Sequence, residues 1–288
     1  MCALHHLGIR EKSEPLARTA FEVSRLDGSS SSSGGAATAV QITPDSASSA
    51  YSGSKEESGA FHAFLEHAST YAFFLFFAAA IYFSFLRLSE QGRFWLVVLA
   101  LPLGLVAGDF VSGFVHWLAD TYGSERTPLV GASFIKWFRL HHVHPKDICT
   151  HNFITTNGNT CIPAAPLVGF CLPLIWEEDA SATRVFFALT TVLMTAATVA
   201  TNQFHKWAHA DTLPRVARWL QNARLILSPA HHSRHHAAPF DAHYCITNGW
   251  MNPLLDKIKF FGRLERALEK FGLKHQREGR AGKAGHAP

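Results

Sequence analysis

Residues 71–86 read YAFFLFFAAAIYFSFL, sixteen positions without a charge, a proline or a glycine. A run of this length and polarity has one economical solution, a helix buried in lipid or in protein. Working outward, three more apolar stretches follow. The four predicted spans are 68–86, 94–118, 161–176 and 185–203. The third is short for a bilayer core that needs about 20 helical residues, and Pro163, Pro166 and Pro173 punctuate it, so it is expected to tilt or kink. The alternative is a set of buried helices in a soluble protein. Four such apolar runs in one chain, three of them charge-free and the second carrying only Asp109, favour the membrane.

The chain has 288 residues, enough for one large domain or two small ones, and a formal charge of +4. The five cysteines, Cys2, Cys149, Cys161, Cys171 and Cys245, are odd in number and contain no CxxC pair. That disfavours a disulfide framework and a thiolate zinc site. Residues 1–60 are dominated by Ser, Gly and Ala after Asp27, cannot bury enough apolar surface to order themselves, and show no signal-peptide core. Glu11, Glu14 and Glu22 count against a transit peptide. Residues 273–288 read as a second flexible tail. No nucleic-acid motif accompanies the basic residues.

Loop charges orient the spans. The segment from His205 onward carries 14 Lys or Arg against 6 Asp or Glu. The positive-inside rule therefore places it, the N-terminus and the loop 119–160 in the cytosol. Leu254, Ile258, Phe261, Leu264, Leu268 and Phe271 recur at helical spacing among Lys257, Lys259, Arg263, Arg266 and Lys270. This pattern predicts a basic amphipathic helix over 254–272 lying on the membrane surface, or else a packed amphipathic helix. The fold class is thus all-α: a polytopic membrane protein with about four transmembrane helices and a cytosolic histidine-rich cap.

Histidine is the unusual residue. There are 18, of which twelve lie between His116 and His243. His116 ends the second span, sharing a helical face with Asp109, Gly113 and Asp120. Gly104, Gly108 and Gly113 form a small-residue stripe suited to a close helix neighbour. FRLHHVHP at 138–145 supplies His141, His142 and His144, and His151 follows. NQFHKWAH at 202–209 sets His205 and His209 at i, i+4. Residues 231–236, HHSRHH, supply His231, His232, His235 and His236. All these groups fall on one side of the proposed membrane. Imidazoles spaced by one helical turn converge on a point and suit iron, copper or zinc, and eight or more suit two ions. His5, His6, His62, His67, His275 and His286 read as ordinary surface or interfacial residues. HExxH, GxSxG and GxGxxG are absent, which disfavours a membrane zinc protease, a serine lipase and a Rossmann dehydrogenase.

The segments GDFVSGFVHWLADTYG (108–123), FRLHHVHP with HNFITTNGN (151–159), NQFHKWAH and HHSRHHAAPFDAHYCITNGWMNP (231–253) together resemble the Kua family of plasmanylethanolamine desaturases. A plastid branch of that family acts on an acyl chain instead, and HNFITTNGN favours the ether-lipid branch. The resemblance covers about half of the chain and makes 61–272 a membrane desaturase domain. It implies two iron ions held by His116, His141, His142, His205, His209, His232, His235 and His236, with His151 and His231 as further positions of less certain role. His144 stands where the family has an aspartate. It implies O2 as oxidant, electrons from NAD(P)H through a reductase and cytochrome b5, and an ether phospholipid as substrate. Asp109 and Asp120 are expected to orient His116 by accepting its remote N–H. Asn157 and Asn202 are further polar neighbours. The expected location is the endoplasmic reticulum, with a bacterial inner membrane as the alternative. Two other readings stand beside this one: another di-iron acyl desaturase or hydroxylase, and a non-enzymatic membrane regulator.

Overall fold

The structure is a computed structural model that describes residues 59–128 and 130–275. The predicted tails fall almost wholly outside these residues. Among the described residues there is no strand. Four long helices dominate: α1 (Ala60–Glu90), α2 (Trp95–Thr121), α4 (Phe153–Trp176) and α5 (Ala182–His209). All four are long and apolar enough to cross a membrane. Between α2 and α4 lie a π-helical turn (Gly131–Ile135), α3 (Lys136–Val143) and a 3-10 turn (Asp147–Thr150). After α5 come α6 (Arg215–Asn222), α7 (Pro229–His232), α8 (Asn252–Lys257) and α9 (Phe260–Lys270).

The third span is longer than the hydropathy pattern predicts. Asn152 caps α4 by accepting a hydrogen bond from the Thr155 amide at 2.9 Å, and the polar run TTNGN is carried into the helix. At 1.5 Å per residue α4 is about 36 Å long, enough for a hydrocarbon core of about 30 Å. The extra turns emerge among the cap segments, where polar residues are no penalty. Pro163, Pro166 and Pro173 remain inside α4.

The helices pack as two parallel pairs, α1 with α4 and α2 with α5, joined mainly through α4 against α5. A Cβ on Gly104 would lie 2.6 Å from Leu193 Cβ, and one on Gly108 would lie 2.6 Å from Ala197 Cβ. Two turns on, His116 and His205 stand 6.4 Å apart between ring centroids. The constant offset of 104 with 193, 108 with 197 and 116 with 205 means that α2 and α5 are parallel and in register. The glycines supply the close approach that small residues give in lipid. Gly113, by contrast, faces Cys245 of a loop. Helices α1 and α4 pair the same way: Glu66 lies against Gly158, Phe76 against Gly169, and Phe83 stacks on Trp176 at 5.4 Å. Phe73, Ala80, Leu88, Val168, Ile175, Leu189 and Val192 fill the core among α1, α4 and α5. Leu75, Val98, Leu103, Phe170 and Phe187 face outward, as a lipid environment requires.

This arrangement brings the N-termini of α1 and α4 and the C-termini of α2 and α5 to one end. Both long connections, 122–152 and 210–275, therefore form a cap on that end. The amphipathic stretch 254–272 is not one helix. Lys259 sits in the left-handed region (φ 51°) and separates α8 from α9. The break turns Phe261 inward, where it stacks on Trp117 at 5.5 Å and meets Tyr244 at 5.0 Å. The Trp117 indole N–H donates to Glu265 at 3.0 Å. Leu254, Ile258 and Phe271 stay exposed, so only part of the apolar face is spent on packing.

Candidate metal centre

Four elements converge beneath the cap. Helix α2 contributes His116 and Asp120, one turn apart. Helix α3 contributes the adjacent pair His141 and His142, and α5 contributes His205 and His209, again one turn apart. Helix α7 and the turns after it contribute His232, His235 and His236. The short α7 forms there because the Ser228 side chain accepts from the His231 amide and Pro229 follows at the first helical position.

These residues fall into two groups. His141, His205, His209, His232 and His236 each bring one ring nitrogen to within 4.8 Å of the others. His116, Asp120, His142 and His235 do the same beside them. The eight histidines implied by the resemblance are the eight histidines of the two groups. In the first group His141 Nε2 lies 3.0 Å from His209 Nε2, and His232 Nε2 lies 3.0 Å from His236 Nε2. In the second His142 Nε2 lies 3.2 Å from His235 Nε2. Two cis ligands, each roughly 2.1 Å from a shared ion, would be about 3 Å apart. The groups touch: the rings of His142 and His236 are 5.3 Å apart, and those of His141 and His142 are 6.3 Å apart.

The tautomers of two residues can be read from their partners. His116 Nδ1 is 3.1 Å from the Tyr244 carbonyl and His235 Nδ1 is 2.9 Å from the Ala242 carbonyl. A carbonyl only accepts, so both Nδ1 atoms carry the proton and both Nε2 atoms present a lone pair to the group. Burial, reinforced by the neighbouring imidazoles, holds His141 and His232 well below the usual histidine range and His236 down to about 3. All three are therefore neutral at pH 7, the state in which imidazole binds a metal.

The donor set fits a cation better than it fits itself. His116 Nε2, His205 Nε2 and both Asp120 oxygens are buried without a hydrogen bond. Asp120 Oδ2 lies 3.3, 3.4 and 3.5 Å from Nε2 of His116, His142 and His235. A buried, unbonded carboxylate facing lone pairs is costly unless a positive charge sits between them. Asp120 thus stands among the candidate ligands themselves, and the position that accepts the remote N–H of His116 belongs to the Tyr244 carbonyl.

Asp109 serves a different purpose from the one its spacing implied. Its carboxylate does not accept from His116. Oδ1 accepts from the amides of Thr247, Asn248 and Gly249 at 3.2, 3.0 and 2.9 Å, and Oδ2 accepts from Met251 at 3.0 Å. It anchors the loop that carries the Tyr244 and Ala242 carbonyls. Asn252 completes that anchor, accepting from the Cys245 amide and donating to the Cys245 carbonyl, both at 2.8 Å. The signal for this support was the run DAHYCITNGWMNP, whose short polar residues were legible but not their partners.

His144, His151 and His231 join neither group. The His151 carbonyl accepts from the Lys206 ammonium. His231 Nε2 lies 2.9 Å from Asn252 Nδ2, away from the two groups. Asn202 donates to the Thr156 carbonyl at 3.1 Å and to Thr160 Oγ1 at 3.0 Å, tying α5 to α4. Asn157 donates to the Phe153 carbonyl of its own helix at 2.9 Å.

Fold and site together define a polytopic helical membrane protein with two adjoining histidine-rich groups able to hold metal. The sequence belongs to the lipid desaturase domain family, whose model matches residues 105–278. The chain is 45% identical over 176 residues to the plasmanylethanolamine desaturase of Myxococcus xanthus, an alignment covering 60% of this chain and 61% of that protein. It is 38% identical over 177 residues to plasmanylethanolamine desaturase 1 of Mus musculus, covering 60% and 65%. It is 33% identical over 172 residues to the chloroplastic fatty acid desaturase 4-like 1 of Arabidopsis thaliana, covering 59% and 56%. The chain thus spans somewhat under two thirds of the length of these three relatives. No solved structure matches it.

Proposed function

We propose that this protein is an O2-dependent desaturase that converts the sn-1 alkyl ether of plasmanylethanolamine into the vinyl ether of plasmenylethanolamine. The observation that carries the reading is the pair of adjoining groups, five imidazoles in one and three imidazoles with Asp120 in the other. His141, His205, His209, His232 and His236 would hold one iron, and His116, Asp120, His142 and His235 the second. Two irons held there would supply the O2-activating chemistry needed to take hydrogen from an unactivated methylene. The net change takes one hydrogen from each of C1 and C2 of the alkyl chain and leaves a C=C bond. O2 and two electrons, with two further protons, leave as two waters.

The chain's own residues set the conditions. Burial of His116, His205, His232 and His235 keeps bulk water from the reacting region. The Tyr244 and Ala242 carbonyls hold two imidazoles in the ligating tautomer. The groups sit at the C-terminal ends of α2 and α5, at headgroup level for a spanning bundle. The C1–C2 bond of an alkyl ether also lies just beneath the headgroup, so no long channel is needed. Similarity to two plasmanylethanolamine desaturases supports the ether substrate. The chloroplastic relatives support a second reading, desaturation of an acyl chain near its carboxyl end.

No flavin or haem motif is present, so electrons would come from NAD(P)H through a reductase and cytochrome b5, drawn to the basic cap by charge complementarity. The proposed location is the endoplasmic reticulum, with the cap in the cytosol. The test is plasmalogen content in desaturase-deficient cells that express cytochrome b5. Acid-labile aldehyde restored by wild type and not by His205→Ala supports the ether reading. Restoration of an acyl double bond without aldehyde would move the substrate to the second reading.

A further inference from the structure

On the outer side of the segment that carries His232 and His235 lies a half-open cavity of about 520 Å³. None of its lining residues belongs to the two histidine groups. Two guanidiniums line it, Arg224 and Arg234, and among the described residues neither has an ion pair or a side-chain hydrogen bond. Asn248 stands in the wall, 5% exposed, and its Nδ2 donor is buried without an acceptor. His231 lines the same cavity. Asn252 Oδ1 accepts from the Cys245 amide, which fixes Asn252 Nδ2 as the donor to His231 Nε2. The neutral His231 ring therefore has its proton on Nδ1. The cavity thus gathers two cations and the unpaired Asn248 donor, and no carboxylate lines it. That is the chemistry of an anion, and the paired guanidiniums match a phosphate diester best.

The rim indicates where the phosphate comes from. Trp250 lines the cavity with its indole N–H donated to the Arg224 carbonyl at 2.6 Å and its ring partly exposed. Leu225 and Leu254, chain neighbours of lining residues, are exposed. Indole and aliphatic side chains beside arginines are the composition of a membrane interface. Arg224 and Arg234 are themselves exposed, so their charge stands beside this apolar rim. We infer that this cavity binds the phosphate of a phospholipid headgroup and so positions the substrate's glycerol next to the segment bearing His232. The inference rests on the reading of the chain as a phospholipid-modifying enzyme.

The test is equilibrium binding to the full-length, iron-loaded protein in micelles. The probes are 1-alkyl-lysophosphatidylethanolamine, the matching alkylglycerol without phosphate, and inorganic phosphate as competitor. Wild type is expected to bind the lysolipid about tenfold tighter than the alkylglycerol, the difference one charge-assisted contact makes. The double variant Arg224→Gln/Arg234→Gln is expected to lose that difference, while Arg224→Lys/Arg234→Lys keeps most of it. Iron content stays at the wild-type level in both. In turnover the glutamine variant is expected to raise KM for the ether lipid with little change in kcat. Unchanged lysolipid binding in the glutamine variant overturns the inference, and if KM for cytochrome b5 then rises, the surface is a protein dock. Inorganic phosphate binding without preference for lysolipid over alkylglycerol overturns the lipid source. Charge-dependent lysolipid binding without any vinyl ether product supports the site and refutes the ether-desaturase reading instead.

Discussion

The two histidine groups are built differently although they share a helix and a wall. The first takes its imidazoles from α3, α5 and the 232–236 segment, has no carboxylate, and leaves His141, His209 and His236 partly accessible. The second is closed more tightly, with His116 at 1%, Asp120 at 5% and His235 at 0% exposure. It alone carries a negative charge, and two of its imidazoles are pinned by backbone carbonyls. A carboxylate offsets part of the charge of a bound cation and favours its more oxidised state, whereas five neutral imidazoles do not. One position should therefore exchange metal and admit small molecules more readily, and the other should hold its metal more firmly.

That contrast can be broken by substitution. The largest effect is expected from His235→Ala and His205→Ala, one for each group. Each should abolish vinyl ether formation and remove about half of the bound iron, measured by metal analysis of purified protein. Next comes Asp120→Asn, which keeps the shape but removes the charge. Activity is expected to fall by about 10–100-fold, with iron lost from the second group before the first. If Asp120→Asn leaves iron binding and activity intact, the carboxylate is not a ligand and the two groups are more alike than their composition implies. Asp109→Asn should act on stability rather than on chemistry. It weakens the set of four backbone bonds at a fully buried carboxylate, at a cost on the order of 3 kcal/mol, seen as a lowered thermal midpoint. Residual activity per iron should stay close to wild type. The smallest effect is expected from Lys259→Gly, which relieves a left-handed backbone position and should stabilise by about 1 kcal/mol, leaving the iron content of both groups unchanged.

Much of this was legible in the sequence, for physical reasons. Apolar runs must be satisfied within one helix, so the four spans appeared from hydropathy alone. The i, i+4 pair His205 and His209 and the cluster 232–236 carried local geometry in their spacing. What could not be read was long-range. The Asp109 carboxylate looks, from position 109, like a partner for His116 one or two turns away. Its true partners are amides about 140 residues further on. Asp120 was legible as a neighbour of His116, but its place among the ligands depends on His142 and His235 arriving from two other elements. The split of 254–272 was hidden for the same reason. An unbroken helical pattern gave way at Lys259, beyond which Phe261 packs on Trp117, a partner more than 140 residues away in sequence.

The most direct measurement of the central claim is the iron content of the purified full-length protein alongside His205→Ala and His235→Ala, each also assayed for zinc. Two irons per wild-type chain and about one in each variant are the expected result. One metal per chain, or a variant of either group that strips both positions or neither, would contradict the reading of two adjoining and separable sites.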